Sequence, residues 1–190
     1  MEAFAYRDGG FAAAMSTGEA LLLRQLASEV LVVLDDPGDF ASTSSMVSAA
    51  TETEQRREAP RERTLGMLLP PMSEDEEDAG RMRALTEDLL RTEKSVRLRV
   101  MVSDLEHITH GDGETLVIPR DAVWSWLGAL NDIRFGLAGE LDLSDQGDAE
   151  RIEKLAMSET TGDRAQTVAA IYMLITWWQD SLLEAVNNTH

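Results

Sequence analysis

The chain has 190 residues, a formal net charge of −18 and no cysteine. The missing cysteine excludes disulfides, thiolate metal sites, a cysteine nucleophile and a thiol redox switch. The charge disfavours wrapping a nucleic acid backbone, which needs clustered Lys and Arg, while 43% hydrophobic residues suffice for one packed domain over 1–190.

In chain order, Ala3 to Met15 reads as a β-hairpin. Phe4 and Tyr6 alternate with small residues, Asp8-Gly9-Gly10 supplies the turn and Phe11 opens the return. Such a hairpin needs helices or a further strand to lean on. Helix one follows from Thr17 to Leu34. Ser16 and Glu19 form a capping box, Leu22, Leu23, Leu26, Val30 and Val33 form an apolar stripe, and Asp35-Asp36-Pro37-Gly38 ends it. Residues 39–64 lack large apolar side chains and their charges cancel, so a mobile connection is expected there. Leu65 to Leu69 is a small apolar plug before Pro70-Pro71.

Helix two is predicted over 73–104, capped by Ser73 with Glu76 at the third helical position. Acidic residues fill its first turns, where the helix dipole favours them. Met82, Leu85, Leu89, Val96 and Val100 are its expected core stripe. A helix of this length is a rod of roughly 45 Å, a spine for the others to pack against. His107 to Gly113 reads as a turn and Thr115 to Ile118 as a short strand able to join the hairpin. Helix three is expected from Pro119, well placed in a first turn, to Leu137. Trp124 and Phe135 widen its stripe, and Gly136 and Gly139 mark its end. After a loop and a short helix over 148–157, Thr160-Thr161-Gly162-Asp163 caps a last helix reaching Val186. Its stripe is Val168, Ile171, Ile175, Trp178, Leu182 and Val186. The fold class is therefore mainly α: a helical bundle around a long central helix, with a small N-terminal hairpin and a third short strand.

No run is apolar enough for a signal peptide or a membrane span, so a cytoplasmic location without membrane binding is expected. The one basic concentration of note is Arg81, Arg83, Arg91, Lys94, Arg97 and Arg99 on helix two. It reads either as a docking face for an acidic partner or nucleic acid, or as intramolecular pairing on a solvated helix. The negative surroundings favour pairing. His107 and His110, near Asp104, Glu106 and Asp112, are weak metal-ligand candidates in what reads as an exposed turn, with no metal motif matched. No nucleophile elbow, phosphate loop or dinucleotide fingerprint is present, so neither an enzyme nor a cofactor is expected. Asn131, Asp132 and Arg134 interrupt an apolar helix and predict a buried polar clamp, through an Asp132–Arg134 pair or an inter-helix network. Trp178 lies on the core stripe, whereas Trp177 projects about 100° away, into another helix or onto a partner.

Leu68-Leu69-Pro70-Pro71 with its acidic run, Arg83 to Arg91 with Lys94, Trp126 to Arg134 and Tyr172 to Leu182 together resemble one family. It is the actinobacterial domain-of-unknown-function family that includes the oxidative-stress regulator AosR. The resemblance spans nearly the whole chain except 39–64. It implies a helical cytoplasmic protein and, for regulator-like members, transcription control through a sigma factor. The chain departs from a thiol-sensing member in having no cysteine. Methionine oxidation at Met67, Met72, Met82 or Met101 is a conceivable substitute, although methionine is usually core filler. The function expected is a non-enzymatic regulatory or interaction protein that engages a basic partner such as a sigma factor. It would dimerise through helix two or the last helix. Direct DNA binding through helix two is the alternative, and a metal-dependent enzyme the remote one.

Overall fold

The computed structural model of the chain describes residues 2–35, 56–110, 115–143, 148–157 and 163–189. Strands β1 (Ala5–Arg7) and β2 (Gly10–Ala14) pair antiparallel. Their turn holds two residues, Asp8 and Gly9, both at positive φ, the twist that short hairpins favour. Gly10 belongs to β2 rather than to the turn. A Cβ there would lie 2.9 Å from the Ile118 carbonyl oxygen, so the next strand's close approach requires glycine. That strand, β3 (Thr115–Pro119), pairs antiparallel with β2 and completes the order β1-β2-β3. The expected third strand thus claims Pro119, which was expected to open a helix.

Six helices complete the described residues: α1 (Thr17–Asp35), α2 (Arg63–Leu68), α3 (Glu76–His110), α4 (Val123–Glu140), α5 (Asp148–Ala156) and α6 (Arg164–Asn187). None is long and apolar enough to cross a membrane. The capping box forms at α1: the Ser16 amide donates to Glu19 Oε2 at 2.8 Å and the Glu19 amide to Ser16 Oγ at 3.3 Å. The Glu62 carboxylate caps α2, and the Asp163 carboxylate accepts from the Ala165 amide at the start of α6. At α3 the cap is Asp75, not Ser73; its carboxylate accepts from the Glu77 and Asp78 amides. Of the expected connection, 39–55 lies outside the described residues, and Arg63 and Thr64 belong to α2.

Helix α4 sits at the centre. It packs on α2, α3 and α6, while α1 packs on α3 and α5 on α6. Gly136 and Gly139 lie within α4 and do not end it. At Gly139 a Cβ would come 2.7 Å from Thr64 Cα, so the glycine permits close approach of α2. Trp124 was expected to widen the buried stripe but is exposed. The sheet leans on α6 through Phe4, whose ring centroid is 5.4 Å from that of Trp178 and whose amide donates to Ser181 Oγ at 3.3 Å.

Helix α3 departs most from expectation. It continues through His107 to His110, where a turn was expected, because Leu98, Met101, Leu105 and Ile108 extend a buried row to its end. Its expected core stripe faces solvent: Leu85 is 73% exposed and Leu89 61%, and Met82, Val96 and Val100 are exposed too. The inward face of its first half carries Arg83, Glu87, Arg91 and Ser95. Arg83 Nη1 donates to the Leu69 carbonyl at 3.0 Å, just past α2. Arg91 Nη1 donates to the Leu34 carbonyl at 2.8 Å, in the last turn of α1. Helix ends leave carbonyls without intrahelical donors, and the two guanidiniums supply them. Glu87 lies between and pairs with both, 3.4 Å from Arg83 and 3.0 Å from Arg91. A buried charge is tolerated when it is paired and hydrogen-bonded, so these ionic groups take the inner face.

Candidate partner-binding cleft

The basic residues of α3 meet acceptors within the chain. Arg81 pairs with Glu77 and Asp78, Arg83 and Arg91 with Glu87, and Arg99 with Asp35 at 2.7 Å. Lys94 Nζ and Arg97 Nε donate to the two oxygens of Asp132 at 2.6 and 2.5 Å, and Asp132 is fully buried. Gly128 makes room for this: a Cβ there would lie 3.2 Å from Arg97 Cδ. Gly128 is thus the gap over which Arg97 reaches Asp132.

The expected clamp therefore divides. Residues two apart on a helix project about 200° apart, so Asp132 and Arg134 cannot share one face of α4. Asp132 turns to α3 and Arg134 to α6. The inter-helix network is realised on both sides, the Asp132–Arg134 pair on neither. Arg134 Nη1 donates to Gln179 Oε1 at 2.7 Å, and Nη2 to the Tyr172 hydroxyl at 3.3 Å. Its guanidinium lies 5.5 Å from the Tyr172 ring centroid. Arg134 Nε is buried without a hydrogen-bond partner among the described residues. Asn131 is half-buried between the two directions.

Arg134 and Trp177 converge on one cleft. It has a volume of about 540 Å³ and lies between α4, α5 and α6. Ile152 and Met173 supply apolar wall, Tyr172 backs Arg134, and Trp177, 44% exposed, flanks the opening. Asp148, Glu153 and Asp180 also line it. One guanidinium against three carboxylates leaves the lining at −2. Asp148 is shared with Arg151 at 3.0 Å, whereas Glu153 and Asp180 are exposed. An aromatic side chain beside carboxylates suits a cationic group, which the ring face and the carboxylates both attract. The negative lining opposes an anion despite Arg134.

Sequence reasoning found Trp177 and Arg134 but missed Glu153, Asp180 and Met173. The available signal was the second row of α6: Met173, Trp177 and Asp180 follow i, i+4, i+7 spacing, opposite Ile175, Trp178 and Leu182. Trp178 is fully buried and Trp177 is not, as their separation of about 100° requires.

His107 is exposed on α3, and the side chain of His110 lies outside the described residues. Asp104, expected beside them, accepts from Trp126 Nε1 at 2.9 Å and so ties α3 to α4. Among the described residues no three His, Asp or Glu side chains come together to hold a metal ion.

Residues 1–186 match the model of a family described as a domain of unknown function (DUF2017). No curated protein and no solved structure matches the chain. With the match covering nearly its whole length, the chain belongs to the DUF2017 family.

Proposed function

We propose that this protein is a non-enzymatic regulatory or interaction protein that receives a basic segment of another protein in the cleft beside Trp177. The observation that carries this reading is an exposed tryptophan lining one cleft with Glu153 and Asp180, on a chain of net charge −18. Tryptophan is favoured as an interface anchor. The surrounding negative field steers a positive partner and raises its association rate at low salt. The resemblance to the family that includes AosR suggests a sigma factor as partner, with cytoplasmic transcription control under oxidative stress as the setting. Having no cysteine, the chain would act there without a thiol switch. Against direct DNA binding weighs the commitment of the α3 cations to acceptors within the chain.

The test is sedimentation velocity of the full chain mixed with a sigma factor from the same organism, at low and high salt. A complex at low salt that weakens at high salt is expected. Trp177→Ala should weaken it roughly 30-fold, and Asp180→Asn should chiefly slow association. No complex, or one indifferent to both substitutions, would contradict the proposal.

A further inference from the structure

The outer face of α3 is left over from both the core and the cleft. Met82, Leu85, Leu89 and Val96 sit there at alternating three- and four-residue intervals, with Thr92 and Arg99 continuing the pattern and Val100 beside it. That is the a/d spacing of a two-helix seam. From Met82 to Val100 the strip is about 28 Å long. Its charge sets it apart from the rest of the surface. Arg83, Glu87 and Arg91 turn inward and Lys94 and Arg97 bind Asp132, so the exposed charges here are Arg81, Asp88, Glu93 and Arg99, which cancel, while the chain as a whole carries −18. Two acidic chains repel wherever acid meets acid, and this strip is where they approach at least cost.

The geometry points to a homodimer in which the α3 strips of two copies pack antiparallel across a two-fold axis near Leu89 and Thr92. The flanking charges choose the direction. A parallel pair sets Asp88 against Glu93 of the second copy, twice, and stacks Arg99 on Arg99. An antiparallel pair sets Leu85 against Val96, Leu89 against Thr92 and the aliphatic stem of Arg99 over Met82. Glu93 then lies beside Thr86, and Asp88, held by Arg57 of its own chain, lies away from Glu93 of the second copy, so like charges no longer meet. The two-fold makes the contact self-complementary and closed. The strip is small as stable interfaces go, so a concentration-dependent dimer is expected. Nothing in this assignment rests on the cleft.

Sedimentation equilibrium of the full chain over a range of concentrations gives the first test. A monomer–dimer equilibrium is expected, shifted wholly to monomer by Leu85→Glu with Leu89→Glu at unchanged helical circular dichroism. Both positions face solvent, so the variant keeps its fold. A wild-type chain that stays monomeric at the highest concentration, or a dimer that survives the double substitution, would overturn the proposal. Direction is read by oxidation, which the absence of native cysteine makes clean. Mixed Leu85→Cys and Val96→Cys chains should cross-link to each other, and Leu85→Cys alone should not. Self-linking of Leu85→Cys without the mixed product would overturn the antiparallel arrangement.

Discussion

Helices α3 and α6 each carry an apolar row at helical spacing, yet only one of those rows is core. On α6, Ile175, Trp178, Leu182 and Val186 are buried, while on α3 Leu85, Leu89 and Val96 face solvent. The difference lies in what else each helix carries. Helix α6 has no competing charged row. Helix α3 has Arg83, Glu87 and Arg91 at four-residue steps, opposite the aliphatic row, and its arginines serve the carbonyls of Leu69 and Leu34. Hydrophobic period finds the core face when burial is the only demand. It fails where the ends of other helices need donors.

Substitutions test this contrast from the largest effect downward. Trp178→Ala should cost about 4 kcal/mol, by cavity formation and loss of the Phe4 contact, whereas its neighbour Trp177→Ala should change stability by less than about 0.5 kcal/mol. Urea denaturation measures both. Asp132→Ala strands Lys94 and Arg97 at a buried site and should cost about 3 kcal/mol, at the lower end for a broken buried pair because Arg97 keeps some solvent contact. On α3 itself, Leu98→Ala should cost about 2.5 kcal/mol, while Leu85→Ala should stay within about 0.5 kcal/mol. Equal losses for the two leucines would mean that the helix is rotated differently.

The smallest effect depends on pH. Arg57 Nη1 donates to Asp88 Oδ1 at 2.7 Å and holds that carboxyl below its ordinary range. A carboxyl depressed in the folded state contributes its stability above the unfolded value near 3.9, and loses it as pH falls through the folded value. Asp88 is largely exposed, so screening limits the effect to about 0.3 kcal/mol. The difference in denaturation midpoint between wild type and Asp88→Asn should narrow as pH falls from about 5 to about 3. A gap that widens would place the carboxylate's role elsewhere.

The sequence made the hairpin, the third strand, the α1 capping box and the α6 core row legible, because each is a local signal with one reading. It did not reveal the end of α3. The Gly-rich run after His110 looked like a stop for the residues before it, while Leu105 and Ile108 kept the helix packed. It placed Pro119 in a helix because a strand end and a helix start accept proline equally. At the cleft, Trp177 was visible as a residue off the core row. Glu153 and Asp180 were not, since carboxylates are everywhere in an acidic chain; Asp180 shares the Trp177 row of α6, and only the packing of α5 on α6 brings Glu153 to the same cleft.

The orientation of α3 underlies both the buried ionic row and the exposed strip, and thiol labelling reads it directly. In this cysteine-free chain, Leu89→Cys and Leu98→Cys each place one reactive group on α3. At high dilution, with the chain monomeric, Leu89→Cys should react with a thiol reagent as fast as a solvated cysteine, and Leu98→Cys only after denaturation. A protected Leu89→Cys beside a freely reacting Leu98→Cys would contradict the account.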